Sequence, residues 1–331
     1  MCNFIITTDS SCDLPEALCA KMKIFPIFMK YTIDGQAFSD SLNVEKKKKF
    51  FDIMRTGKMP TTSAINPGEY SDFWKDLYNK YKLPIVHISL CQELSCTCNN
   101  AVMAANMLKD EIPDAQVYVV DSFIASLGQG MQVLFAANLR DSGVTAEKCA
   151  RQLDICKRHV NTLYTTGDLK YFLAGGRLSR LGAAFGTVLN INPILNCDPE
   201  GALKVIVKPR GENGALKKVC EIIGNRAINP EEQTIFICHT DCPDKAKLFA
   251  TALCEQVGFK NVFFSTMGAT IGSHCGPGLV AIFYMGKERG TEDTSAPSVD
   301  DGIAVITSPE FQQAFADYFL TRSSGFKKMD N

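Results

Sequence analysis

The chain has 331 residues, enough for two domains with a core each. Its 35 Lys and Arg against 36 Asp and Glu leave a net charge of −1, so no overall field favours nucleic acid or an anionic membrane surface. Met1-Cys2-Asn3-Phe4-Ile5-Ile6 lacks the basic and apolar stretches of a secretory leader and no run of about 18 apolar residues follows, which predicts a cytoplasmic protein without membrane insertion.

In chain order, β-type runs at Phe4 to Thr8, Ile24 to Ile33, Ile85 to Leu90 and Val117 to Val120 alternate with helical segments. That alternation predicts an α/β domain with a parallel sheet over residues 1–160. Asp34-Gly35 marks a hairpin, so residues 25–60 read as an excursion from the sheet, able to form a flap. The basic run Lys46 to Lys49 lies in a helical pattern and reads as a solvated face. Asn66-Pro67-Gly68-Glu69 offers an N-cap, a proline at the first helical position and a carboxylate three residues on, predicting a helix to about Tyr81.

Past a helix ending near His159, runs at Thr162 to Thr166, Ile191 to Asn196, Leu203 to Lys208, Gln233 to His239, Asn261 to Phe264 and Leu279 to Tyr284 predict an α+β domain over 161–286. The turn Asp198-Pro199-Glu200-Gly201 makes its sheet at least partly antiparallel. Residues 287–331 form the rest: Lys287 to Val299 reads as a linker, then Phe311 to Leu320 as a short helix before a basic tail. The 14 cysteines are scattered without a leader, so they read as reduced core thiols rather than disulfides.

Hydroxyls follow the first-domain strands: Thr8-Asp9-Ser10-Ser11, then Ser89, Ser95 and Thr97, then Asp121-Ser122, with Thr61-Thr62-Ser63 before the Asn66 helix. The carboxyl ends of parallel strands share one edge, where ligands settle. Hydroxyl and amide donors there suit a carboxylate or another small anion, although each also suits an N-cap. Two glycine-rich segments, Gly175-Gly176-Arg177-Leu178-Ser179 and Gly268 to Gly278, carry Arg177 and His274 at what read as bends. Neither Gly-x-Gly-x-x-Gly nor a P-loop is present, so nucleotide binding has no support. No Gly-x-Ser-x-Gly elbow occurs either, and Cys96-x-Cys98 and Cys238-His239-x-x-Cys242 lack a second pair at zinc spacing. No cofactor or metal is expected.

As an ordered set these segments resemble the DegV family, whose members include the fatty-acid-binding subunit of bacterial fatty acid kinases. The matching pieces are Thr8-Asp9-Ser10-Ser11 with Asp13-Leu14-Pro15, Pro60-Thr61-Thr62-Ser63, Leu94-Ser95-Cys96-Thr97, Val120-Asp121-Ser122, Gly175 to Ser179, Lys208-Pro209-Arg210-Gly211 and Gly272 to Gly278. They run in the family's order over about residues 1 to 285.

The resemblance implies a two-domain carrier with the tail of a fatty acid such as palmitate, stearate or oleate buried and its carboxylate held between the domains. By motif position Thr62 and Ser95 would hold the carboxylate, with Thr61 a near alternative. Arg177, Arg210 and His274 would meet the head group or a fatty acid kinase partner. The sequence departs from the pattern at Cys96, where the motif has glycine, which bears on the loop carrying Ser95. It departs again at Cys275, before Gly276, and over the segment after Lys287. A hydrolase or acyltransferase using Ser95 with His274 is the alternative.

Overall fold

The computed structural model describes residues 3–178 and 190–291. The first half contains β1 (Ile5–Asp9), α1 (Glu16–Lys21), β2 (Ile24–Ile27), β3 (Lys30–Ile33), β4 (Gln36–Ser39), α2 (Val44–Arg55), β5 (Thr61–Ser63), α3 (Pro67–Tyr81), β6 (Ile85–Ser89), α4 (Thr97–Glu111), β7 (Val117–Asp121), α5 (Leu127–Asp141) and α6 (Ala146–Cys156). The second contains β8 (Val160–Thr165), α7 (Lys170–Ala174), β9 (Ile194–Cys197), β10 (Leu203–Val207), α8 (Gly211–Arg226), β11 (Thr234–His239), α9 (Pro243–Val257), β12 (Asn261–Thr266), α10 (Ala269–Cys275) and β13 (Val280–Met285).

The first sheet runs β2-β1-β6-β7 with every pairing parallel, as the alternation predicts. β1 and β6 are buried along their whole length, which a parallel sheet covered by helices on both faces requires. The second sheet is mixed, in the order β10-β9-β8-β13-β11-β12, and only β11–β12 is parallel. The Asp198–Gly201 turn joins antiparallel β9 and β10, with Gly201 at φ 98°. Helix α3 starts on the predicted capping box: Asn66 Oδ1 accepts from the Glu69 amide at 2.9 Å while Glu69 Oε2 accepts from the Asn66 amide at 3.0 Å. No helix among the described residues is long and apolar enough to cross a membrane. The thirteen described cysteines are free thiols, ten of them buried.

Several readings change in the folded chain. Ile24 to Ile33 is two strands: β2 joins the parallel sheet, and after Phe28-Met29 the chain turns away so that β3 builds a separate antiparallel sheet, β4-β3-β5. The β3–β4 turn does fall at Asp34 (φ 51°) and Gly35 (φ 81°), both left-handed as a tight hairpin needs. Strand β5, three hydroxyl residues long, carries no apolar pattern and has no sequence signal of its own. The run from Ile191 begins as a strand only at Ile194, while Ile191 makes an isolated bridge with Arg210. His274 stands on helix α10 rather than at a bend. The linker beyond Thr291, the helix at 311–320 and Ser179 lie outside the described residues.

The basic run also needs correction. Lys46, Lys48 and Lys49 are exposed, but Lys47 is only 3% exposed. It turns inward from α2 to donate to the Thr266 carbonyl at 2.6 Å and to stand 3.8 Å from the Asp13 carboxylate. Period rather than charge decides this, since Lys47 shares its helical face with buried Phe50, Phe51 and Met54. Asp13 is itself fully buried, and burial pushes its pKa from 3.8 up to about 6 against the opposing pull of Lys47. A carboxyl whose folded pKa lies above its unfolded value contributes stability below pH 4 and loses it as pH rises through about 6. Lys47 limits that loss. Lys47→Met therefore costs about 3–5 kcal/mol at pH 8, where Asp13 is left as a lone buried anion, and much less at pH 5, where the carboxyl protonates. Urea unfolding at the two pH values measures the difference, and an equal loss at both would contradict the assignment.

Candidate ligand-binding site

A cavity of about 240 Å³ lies between the first sheet and the second. That is many times the roughly 10–15 Å³ a single water needs. Met29, Leu90, Ala125, Phe172, Leu203 and Ile271 supply much of its apolar wall. Thr62, Ser95, Arg177, Thr270 and His274 bring polar groups to it.

Thr62 reaches the cavity because β5 alternates: Thr61 and Ser63 are exposed on the other face, while Thr62 is half-buried. Its Oγ1 lies 2.8 Å from His274 Nε2. Ser95, just before α4, shares a 2.7 Å hydrogen bond with the Thr97 hydroxyl and accepts from the Thr97 amide at 3.2 Å. Arg177 is positioned by backbone, donating to the Leu94 carbonyl at 3.2 Å and the Gly175 carbonyl at 2.5 Å. Gly175 is required because a Cβ there would collide with His274 Nδ1. Burial, and secondarily the neighbouring Arg177 charge, hold His274 down to about 4, so at neutral pH it is an uncharged ring. Its Nδ1 is buried without a partner.

Four of the six residues singled out by sequence therefore share this cavity: Thr62, Ser95, Arg177 and His274. Thr61 points away, and exposed Arg210 precedes α8 outside the lining. Of the hydroxyls that follow the parallel strands, Ser95 lines the cavity, while Thr8, Ser10, Ser11, Ser89, Thr97 and Ser122 are not among its lining residues. Thr8 and Ser11 are buried and bonded with Asp9 and Gln129, and Ser122 donates to the Ile124 carbonyl at 2.8 Å. They hold the sheet edge together instead. Cys96 adopts φ −69° and ψ 1°, a backbone open to any residue, so replacing glycine there leaves the Ser95–Thr97 bond formed. Ser95 and His274 form no hydrogen bond with each other; each is bonded to a different threonine.

A family model described as uncharacterised proteins of the DegV family matches residues 3–287. The chain belongs to the DegV family. A DegV domain-containing protein from Clostridium perfringens is 32% identical over 290 residues, covering 87% of this chain and 99% of the relative. A fatty-acid-binding DegV family protein from Thermus thermophilus has the same fold at a TM-score of 0.75 and 25% identity, over 86% of this chain and 99% of that one. A Ruminococcus gnavus DegV family structure refined with vaccenic acid matches in fold at a TM-score of 0.77 and 22% identity, over 86% and 100% of the two chains. Residues 288–331 lie beyond the DegV match.

Sequence reasoning missed the lining residues Met29, Phe172, Leu203 and Tyr164, which carry no motif. It also missed Asp40, whose carboxylate accepts from the Ala269 amide at 2.9 Å and the Thr270 hydroxyl at 2.6 Å, fixing the helix that carries His274. The electrostatics of the site predict a titration. In a long-range ¹H–¹⁵N imidazole spectrum His274 stays neutral until about pH 4, and Arg177→Gln, by removing a nearby positive charge, moves that midpoint upward. A midpoint that ignores the substitution would show that Arg177 does not act on the ring.

Proposed function

We propose that this DegV family protein binds one long-chain fatty acid, with the hydrocarbon in the cavity and the carboxylate at Thr62 and Ser95, and presents it to an acyl kinase. The observation that carries the reading is a mostly apolar cavity bordered by a compact group of hydroxyl, imidazole and guanidinium side chains. The Thermus thermophilus relative, named for fatty acid binding, supports the ligand class. Burying about 14 methylenes at roughly 0.8 kcal/mol each gives on the order of 11 kcal/mol before the entropy of association is subtracted. Such a ligand stays bound through purification.

The protein is read as a carrier because Ser95 at the head of the cavity is bonded to Thr97 rather than to His274, which is bonded to Thr62, and hydroxyls that only donate to an acid hold it without attacking it. Arg177 and His274 stand beside the carboxylate position, where a partner must reach to phosphorylate the acid. Exposed Arg210 lies outside the cavity and is assigned to contact with that partner.

Native mass spectrometry of gently purified protein is expected to show one bound acyl chain; a protein that remains empty when offered palmitate or oleate would refute the reading. Thr62→Val and Ser95→Ala should each weaken binding roughly 10- to 100-fold, the range for one hydrogen bond to a charged group. Thr61→Val, on the opposite face of β5, should change it little. Arg210→Gln is expected to leave fatty acid affinity intact while lowering capture of a kinase from the same cells, and normal capture by this variant would remove Arg210 from the partner contact.

A further inference from the structure

The cavity is walled from both halves of the chain, so it is kept shut by contacts made across them, and those contacts are of two kinds. On one side α10 is held by buried carboxylates: Asp13 accepts from the Gly268 amide at 2.6 Å and Asp40 from the Ala269 amide at 2.9 Å, with Lys47 standing 3.8 Å from Asp13. Opening that side would strand buried charges, which is costly. On the other side the hairpin of β9 and β10 contributes Leu203 to the wall. β10 is an edge strand. Among the described residues β9 joins β8 at Tyr164–Leu195 and Thr165–Ile194 alone, whereas β8 pairs with β13 all the way from Val160 to Thr165. The hairpin is therefore loosely tied to its own sheet.

Its turn is held on the first half by Arg289, which is 5% exposed. Nη1 donates to the carbonyl of Phe123, in the turn before α5, at 3.0 Å, and to the carbonyl of Asp198, in the β9–β10 turn, at 2.9 Å. Nη2 donates to the carbonyl of Lys157, just after α6, at 3.1 Å. Arg289 is anchored independently of the hairpin: its amide donates to the Arg158 carbonyl at 3.0 Å, and Arg226 of α8 donates to the carbonyls of Lys287 and Glu288 at 3.1 and 2.9 Å. The Cys91 thiol also reaches across, to the Glu200 carbonyl at 3.4 Å, but a thiol is a weak donor. This seam borders the cavity, because Leu90, Ala125 and Leu203, which line it, lie one or two residues from Cys91, Phe123 and Gly201. The acceptors of Arg289 are backbone carbonyls, so releasing the guanidinium to water leaves no buried anion behind.

We propose that the β9–β10 hairpin is the lid through which an acyl chain enters and leaves the cavity, and that Arg289 is its latch. The proposal rests on the fatty-acid reading and adds the route to it. The latch is closed whether the cavity is full or empty and is broken only in passage. Its loss therefore speeds entry and exit alike and leaves affinity nearly unchanged, whereas loss of a ligand contact acts mainly on exit.

The test is stopped-flow binding and displacement of a fluorescent fatty acid, cis-parinarate, on the full chain and on Arg289→Gln, with thermal unfolding measured alongside. Arg289→Gln is expected to raise the association and dissociation rates together, by roughly 10-fold or more, the effect of losing one hydrogen bond from a charged donor. Kd should change far less than either rate. Phe249→Leu, in the core of the second half and outside the cavity lining, controls for lost stability: it should lower the unfolding temperature and leave both rates as they are. Unchanged rates in Arg289→Gln, a faster dissociation alone, or equal acceleration by Phe249→Leu overturns the latch and leaves the carrier reading standing. If wild type binds neither parinarate nor stearate, the carrier reading itself fails. If Arg289→Gln is misfolded, Arg289→Lys, which keeps the charge but lacks the fork that spans three carbonyls, takes its place with the same outcomes.

Discussion

The arrangement of the site depends on how one short helix is capped. Helix α10 has seven residues, and its first amides have no intrahelical acceptor. Two carboxylates from the first half of the chain supply acceptors: Asp13 takes the Gly268 amide at 2.6 Å, and Asp40 takes the Ala269 amide at 2.9 Å and the Thr270 amide at 3.3 Å. Anionic acceptors at a helix N-terminus are the strong form of such a bond. Asp13 reaches it from a left-handed backbone, φ 56°, and its own carbonyl accepts from Ser265 at 2.6 Å. Ser10 and Ser126 complete the two carboxylates at 3.0 and 2.6 Å. Lys47 supplies the balancing charge.

Everything at the head of the cavity follows from that docking. Thr270, Ile271, His274 and Cys275 line it from α10, and Thr62 lines it from β5 in the small sheet. The distance from Thr62 Oγ1 to His274 Nε2 is set by two elements 212 residues apart in sequence, and the capped helix end is what holds them in register. Gly175 then allows the Arg177 turn to close against the imidazole. The carboxylates that hold the two halves together therefore place the polar side chains of the cavity as well, without lining it themselves.

How much of this is legible in the sequence depends on the range of each interaction. The capping box of α3, the Asp34-Gly35 hairpin and the parallel alternation are local chemistry, visible within a few residues. Thr62, Ser95, Arg177 and His274 were legible through motifs, because short segments with unusual composition stand out even when their partners are distant. The α10 helix was hidden by Gly268, Gly272 and Gly276, which read as loop; Gly272 is glycine because a Cβ there would press on the Phe51 ring at 2.7 Å. Lys47 was hidden by its charged neighbours, and only its spacing from Phe50, Phe51 and Met54 separates it from them. The role of Asp40 has no local signal, since its partners on α10 lie 229 and 230 residues away. The lining residues of the apolar wall are ordinary core residues in composition, and only the fold shows that they leave a space.

The bonds already formed at the head of the cavity bear on the proposed carboxylate contact. A hydroxyl has one proton to donate and two lone pairs that accept. With His274 protonated at Nε2, Thr62 accepts from the ring, which directs the hydroxyl's own proton elsewhere. Ser95 likewise accepts from the Thr97 amide and can accept from the Thr97 hydroxyl, so its proton is also free to turn outward. In that arrangement of protons each side chain is held in place by a bond it receives and keeps the one it gives. An arriving carboxylate would collect two aimed donors with little rearrangement, and its charge would stabilise the His274 cation that Arg177 and burial now disfavour.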